Sequence, residues 1–187
     1  MSMAELPPVS DAGFSVGPVV VMGVSGCGKS SVGARLAEYL DVRFIEGDSL
    51  HPAANVEKMR AGTPLADEDR WPWLAALGEK LADGGAQRPV VISCSALKRA
   101  YRDRLRDLAG LPITFLFLQG DRALLSARLG ARSHDYMPAS LLDSQLATLE
   151  LPYGEADVVT IDINQSLESI VGLAMSLLAL RKNRAKR

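Results

Sequence analysis

The 187 residues are 48% hydrophobic and 23% charged, with a formal net charge of −1. These are the proportions of one soluble globular domain with a sizeable core; they leave no room for a second catalytic domain and give no support for a nucleic-acid surface. Residues 1–17 mix Pro, Ser, Gly and acidic side chains without an apolar core, which matches neither a signal peptide nor a membrane span, so a cytoplasmic location is expected.

In chain order, residues 1–16 are read as a flexible tail, 17–181 as the domain and 182–187 as a basic tail. The apolar, β-branched run at 18–23 predicts a first strand and 29–40 a first helix; 42–46 predicts a second strand ending at Gly47-Asp48. Helices are expected near 50–61 and 71–83, divided by Gly62 and Pro64, and together they form an insertion spanning about 50–83. A buried strand at 89–94, a helix at 96–109, a strand at 113–118 and a helix at 121–131 with Asp121 as its acidic cap come next. A polar interruption at 132–138 marks a lid of about 128–140, and helix resumes at 139–150. The fifth strand is 158–162, and 166–181 closes the chain with Leu167, Ile170, Val171, Ala174 and Leu178 on one face. Five strands alternating with helices predict an α/β domain built on a parallel sheet, with ligands at the carboxyl ends of its strands.

Between the first strand and first helix, Gly23-Val24-Ser25-Gly26-Cys27-Gly28-Lys29-Ser30 fills every fixed position of a GxxxxGKS phosphate-binding loop. Its glycines permit a backbone whose successive N–H groups turn onto a phosphate at a helix N-terminus, where Ser31 follows. Lys29 is expected to reach the β- and γ-phosphates, and Ser30 to hold Mg²⁺. Cys27 has two readings, a thiol of lowered pKa beside Lys29 or an inert small residue filling the loop, and the second is the ordinary one. With only Cys94 as a further cysteine, no disulfide framework is implied.

A phosphate loop alone does not separate kinases from other nucleotide-binding proteins. No Asn-Lys-x-Asp guanine-recognition segment occurs in the chain. Asp48, at a strand end facing the loop, is suited to accept or orient an acceptor hydroxyl, although it or Ser49 can equally cap the next helix. Arg128 and Arg132 are four apart, share one helix face and are placed to close on a transferring phosphate; a solvated face is the ordinary alternative. His51, Lys58, Arg70 and Lys98 offer donors and positive charge for an anionic, hydroxyl-rich acceptor, while Trp71 and Trp73 are read as core or groove walls. By topology, adenine contacts are expected near Asn164 and Gln165.

From Val19 to about Leu178 the chain resembles the gluconate kinases, small P-loop enzymes related to shikimate and nucleoside monophosphate kinases. The resemblance rests on Met22 to Ser30, on Gly47-Asp48-Ser49-Leu50-His51-Pro52 with Asn55, Lys58 and Met59, and on Gly62-Thr63-Pro64-Leu65 with Asp67, Asp69-Arg70 and Trp73. Cys94-Ser95-Ala96-Leu97-Lys98 with Tyr101 and Arg102, and then Met137-Pro138, Ser144-Gln145 and Glu150, complete it. It implies ATP- and Mg²⁺-dependent phosphorylation of D-gluconate to 6-phospho-D-gluconate. A sheet of order 2-3-1-4-5 like that of the nucleoside monophosphate kinases is also implied, and often a homodimer. Carried onto this chain, Lys29 and Ser30 act on phosphate and metal, Asp48 on the acceptor hydroxyl, Arg128 and Arg132 on the transferring group, and His51, Arg70 and Lys98 on the substrate. The lid departs from the family's Arg-x-Gly-His-Phe-Met-Pro: here Arg132 is followed by Ser133-His134-Asp135-Tyr136, with His one place early and no Gly. The competing readings are a shikimate-like or monophosphate kinase and, outside enzymes, a nucleotide-binding regulatory module.

Overall fold

The structure, a computed structural model, describes residues 17–84, 89–131 and 139–185. Its strands are β1 (Val19–Met22), β2 (Arg43–Glu46), β3 (Val90–Cys94), β4 (Thr114–Gln119) and β5 (Val158–Asp162). Its helices are α1 (Lys29–Leu40), α2 (Ala53–Arg60), α3 (Asp67–Gly84), α4 (Arg99–Ala109), α5 (Arg122–Gly130), α6 (Ala139–Thr148) and α7 (Leu167–Ala185). All strand pairs are parallel and the sheet order is β2-β3-β1-β4-β5, as the sequence resemblance implies.

The alternation of side chains along each strand divides the core in two. Val19, Val21, Val91, Leu116 and Ile161 point to the side covered by α1 and α7, against Leu36, Ile170, Val171 and Leu178. Val20, Met22, Ile92, Phe115 and Phe117 point the other way, against Trp73, Leu74, Leu77 and Leu81 of α3 and Tyr101 and Leu105 of α4. The central strands are therefore apolar on both faces, which is why 19–22 and 90–94 read as continuous hydrophobic runs.

Several helix ends differ from the periodicity reading: α2 and α4 begin three residues later than expected, at Ala53 and Arg99, and α7 runs on to Ala185. Helix α3 begins at Asp67, four residues before the expected 71, and carries Pro72 inside it. Proline signals a helix start because it lacks the N–H that the first turn does not use, but here the acidic triplet Asp67-Glu68-Asp69 occupies the N-terminal turn, where the helix dipole favours negative charge. In α7, Ile170, Val171, Ala174 and Leu178 are buried as expected, whereas Leu167 is 37% exposed at the sheet's carboxyl edge. Asp121 caps α5 as predicted, accepting from the Leu124 N–H at 2.7 Å.

Candidate active site

The carboxyl ends of β1, β2 and β3 meet at a cavity of about 140 Å³. From β1 the chain enters the phosphate loop, whose Gly23, Gly26 and Gly28 adopt φ of 141°, 83° and 97°, values that strain other residues. Gly28 ends the loop as the N-terminal flank of α1. Val24, Gly26 and Cys27 are buried, whereas Ser30 and Ser31 are exposed on the first turn. Lys29 Nζ donates to the Val24 carbonyl at 3.1 Å, and the next amide, Ser25 N–H, donates to Gln145 Oε1 at 2.7 Å. The Cys27 thiol is pushed up by burial, against the lowering by nearby Lys29, so the lowered-pKa reading is overturned in favour of an inert, buried side chain. Burial likewise pushes Cys94 up to about 12.

At the end of β2, Gly47 to Leu50 form one turn of 3-10 helix. Gly47 N–H donates to Ser93 Oγ at 2.9 Å, Ser93 Oγ bonds Glu46, and the Gly47 carbonyl accepts from Trp73 Nε1 at 2.8 Å. A Cβ at Gly47 would lie 1.9 Å from the Ser93 carbonyl oxygen, so the strand end admits no side chain there. Asp48 is thus held on a fixed turn, exposed and lining the cavity with Lys29. No side-chain cap forms at this turn or at α2, and Ser49 Oγ instead donates to the Glu46 carbonyl at 2.6 Å. The capping alternative for Asp48 and Ser49 therefore falls away.

His51, Arg70 and Lys98 also line this cavity. His51 stacks on Trp73, and burial lowers its imidazole pKa, which leaves a neutral ring at neutral pH. Arg70 has its guanidinium 5.6 Å from the Tyr101 ring centre and only a 3.5 Å bond to the Leu65 carbonyl, and its buried Nε has no protein partner. Lys98, by contrast, is committed: its ammonium is 2.7 Å from Asp67, which also accepts from Tyr101 OH at 2.6 Å. These bonds hold the Asp67 carboxyl below the usual range and raise Lys98. Lys58 pairs with Asp69 at 2.6 Å and lies outside the cavity wall, to which its neighbour Met59 contributes.

The far wall is α6, which presents Leu141, Ser144, Gln145 and Thr148 to the cavity at helical spacing. Gln145 was not assigned a role by sequence reasoning; that spacing is the signal that marks it. The Arg102–Glu155 pair has no local sequence signal that joins its members: Arg102 is fully buried, with Nη2 2.6 Å from the carboxylate. Arg102 also donates to the Ala96, Leu97 and Glu150 carbonyls at 2.9, 3.1 and 3.1 Å. It thereby ties the loop that carries Lys98, where Ala96 has φ of 42°, to the chain leaving α6.

The other expected residues sit on the opposite side of the phosphate loop. Arg128 donates to the Ile163 carbonyl at 2.7 Å and lines a cleft with Gly28, Ser31 and the exposed Leu167. Asn164 lines a neighbouring cleft with Gly120 and Asp121, while Gln165 turns back, donating from Nε2 to the Asp162 carbonyl at 2.6 Å. Arg132, His134 and the rest of 132–138 lie outside the described residues, as do residues 1–16 and the end of the basic tail, although α7 continues to Ala185. Among the described residues no helix is long and apolar enough to cross a membrane.

Comparison with known proteins agrees with this geometry. Residues 19–152 match the AAA domain family. The gluconokinase of Gluconobacter oxydans is 50% identical over 144 residues, covering 76% of this chain and 80% of that protein. The thermosensitive gluconokinase of Escherichia coli is 43% identical over 169 residues, covering 88% and 89% of the two chains. A crystal structure of a gluconokinase from Sinorhizobium meliloti superposes with a TM-score of 0.85 at 51% identity, covering 92% of this chain and 97% of that one. With a phosphate loop opening onto a polar cavity on this fold, relatives of this similarity along most of their length place the chain in the gluconokinase family of P-loop kinases.

Proposed function

We propose that this protein phosphorylates D-gluconate at its terminal hydroxyl, with ATP as donor, to give 6-phospho-D-gluconate. The observation that carries this reading is one cavity wall running from the phosphate loop at Ser25 and Lys29, through Asp48, to Arg70 and Lys98. Donor phosphate and acceptor hydroxyl are thereby brought into one space, which is what an in-line transfer requires.

In this reading Gly23 to Ser31 cradle the phosphates, and the phosphate charge draws Lys29 from the Val24 carbonyl. Asp48 accepts the proton of the acceptor hydroxyl as its oxygen bonds the γ-phosphorus and the bond to the bridging oxygen of ADP breaks. Arg70, with an unpartnered buried Nε, is the receptor for the carboxylate of gluconate; His51, neutral and stacked, and Lys98, anchored by Asp67, serve its hydroxyls. Lys58 acts at one remove, by holding Asp69 in the insertion. Arg128, together with Arg132, stabilises the charge of the transferring group, and Asn164 and Gln165 border the base.

Among the described residues no three His, Cys, Asp or Glu side chains converge as a metal site. Mg²⁺ takes few protein ligands and the remainder from phosphates and water, and the exposed Ser30 hydroxyl at the start of α1 is the residue that would hold it. The chemistry such an ion would supply there is partial neutralisation of the phosphate charge during transfer. A homodimer, implied by the family, and a cytoplasmic location, expected from the composition of residues 1–17, complete the proposal.

The test is ADP release with gluconate, other aldonates, shikimate and nucleoside monophosphates as acceptors, each with and without Mg²⁺. Turnover that depends on both gluconate and Mg²⁺ is expected. Turnover with another acceptor but not gluconate would overturn the substrate assignment.

A further inference from the structure

One peptide group in the phosphate loop is held from both sides. Its carbonyl, on Val24, accepts from Lys29 Nζ at 3.1 Å, and its N–H, on Ser25, donates to Gln145 Oε1 at 2.7 Å. Lys29 is the side chain that reaches the β- and γ-phosphates in loops of this kind, so the peptide lies where the terminal phosphates of the donor come. A phosphate oxygen that takes the Ser25 N–H therefore competes directly with the Gln145 carbonyl.

Gln145 reaches this peptide from a distance of 120 residues, on the face of α6 that lines the acceptor cavity beside Ser144 and Thr148. Thr148 is tied to that helix by its bond to the Ser144 carbonyl at 2.8 Å. Leu142, one turn before Leu146, is buried in the main core and fixes the helix beneath. The displaced side chain is consequently confined to the space between donor and acceptor. A carboxamide is both acceptor and donor, while phosphate oxygens only accept. The same group that accepts from Ser25 can therefore turn its NH₂ onto the transferring phosphoryl group.

We propose that Gln145 reads the terminal phosphate of the donor: its carboxamide exchanges the Ser25 N–H for the phosphoryl oxygens and so links triphosphate binding to the wall of the acceptor cavity. The role rests on the kinase reading above, but its binding arm does not depend on turnover with gluconate. No lid residue enters it.

The experiment measures ATP and ADP affinity by calorimetry for the full chain and for Gln145→Glu and Gln145→Met, alongside kcat and thermal unfolding. Glutamate keeps the acceptor for Ser25 with added charge and repels a terminal phosphate, so ATP should bind about 10-fold or more weakly while ADP changes by less than about 3-fold. Methionine removes the competitor and the donor together. Its ATP affinity should be equal or tighter, with kcat lower by about 10²-fold, the scale for loss of one donor to a transition-state oxyanion. Equal weakening of ATP and ADP by Gln145→Glu would overturn the proposal, as would full kcat in Gln145→Met. Loss of thermal stability with unchanged nucleotide discrimination would reduce Gln145 to a packing residue and overturn it too. Wild-type protein that discriminates nucleotides through Gln145 yet ignores gluconate would sink the substrate assignment alone.

Discussion

Trp73 stacks on His51 with ring centroids 4.1 Å apart and 14° between the planes, and the same indole donates to the Gly47 carbonyl at 2.8 Å. One buried side chain of α3 thus fixes both the turn that carries Asp48 and the imidazole beside it. Trp73→Phe keeps a ring under His51 but strips the Gly47 carbonyl of its donor. The cost expected for an unsatisfied buried acceptor is about 1–3 kcal/mol, read as a lowered unfolding midpoint. Because the disturbance reaches Asp48 and not the phosphate loop, kcat should fall while KM for ATP holds; a raised KM for ATP with normal kcat would contradict this.

Asp48→Asn tests the carboxylate itself. The Gly47 bonds to Ser93 and Trp73 are backbone bonds and survive the change, so the turn keeps its shape. Loss of a base in the acceptor site should reduce kcat by about 10²- to 10⁴-fold with ATP affinity unchanged. Calorimetric ATP binding and steady-state turnover together decide it, and near-normal turnover would remove Asp48 from proton transfer.

Arg70 and Lys98 both border the cavity, yet only Lys98 is neutralised by a carboxylate, Asp67. Arg70→Met should therefore raise KM for gluconate by about 10-fold or more, the loss of a charge-assisted hydrogen bond, without moving KM for ATP. Arg70→Lys should restore little, since an ammonium does not reproduce the planar fork. Full rescue by lysine would show that charge alone, and not guanidinium geometry, is used.

The strands, the phosphate loop and the placement of Asp48 were legible because each follows from local periodicity or from a motif whose geometry is backbone geometry. The commitment of charges was not. Lys98 and Lys58 read as free cations in the sequence, and their partners Asp67 and Asp69 lie 31 and 11 residues away, across a turn of the chain that periodicity does not reveal. Leu167 keeps the spacing of the apolar face but is the first residue of α7, 37% exposed, and lines a cleft instead of the core. Helical spacing places Gln145 on the cavity face of α6, but its partner Ser25 is 120 residues away and the Arg102–Glu155 pair spans 53, and nothing in a single sequence says which distant group such a side chain bonds.

His51 provides a titration probe. Burial lowers its pKa, Arg70 acts in the same direction and Asp48 opposes both. The folded value lies below the unfolded one, near 6.5, so between the two the unfolded chain binds more protons and stability rises with pH. The contribution is present in full above the unfolded value and is lost as pH falls through 6.5 towards the folded value. With two histidines in the chain, His51 and His134, proton NMR can follow both, with His51→Gln giving the assignment. The His51 resonance should titrate below the ordinary histidine range, and Asp48→Asn should lower it further by removing the carboxylate that favours the charged ring. Titration at or above the ordinary range would mean that the imidazole is not desolvated against Trp73.

Arg102 is fully buried, and its guanidinium makes six hydrogen-bonding contacts, to both carboxylate oxygens of Glu155 and to the carbonyls of Ala96, Leu97 and Glu150. Glu155 also accepts from Arg106 at 2.6 Å, so its carboxylate is held by two guanidinium groups. Arg102→Met leaves that carboxylate and three carbonyls short of a buried donor, a loss of about 3–5 kcal/mol for breaking a buried pair, with Arg106 setting it at the low end. Glu155→Gln alone removes charge but keeps an acceptor, and the double variant should recover part of the single loss, since the stranded charge is gone. Urea unfolding of the three variants measures this coupling, and strictly additive losses would show that the two residues do not act as a pair. The kinetic consequence separates this clasp from ordinary core packing. The Ala96 and Leu97 carbonyls belong to the loop that carries Lys98, and Glu150 follows the helix that carries Gln145, so partial loosening in the folded double variant should raise KM for gluconate before it changes ATP binding. A core substitution of equal cost on the opposite face, Val171→Ala in α7, should leave KM for gluconate unmoved.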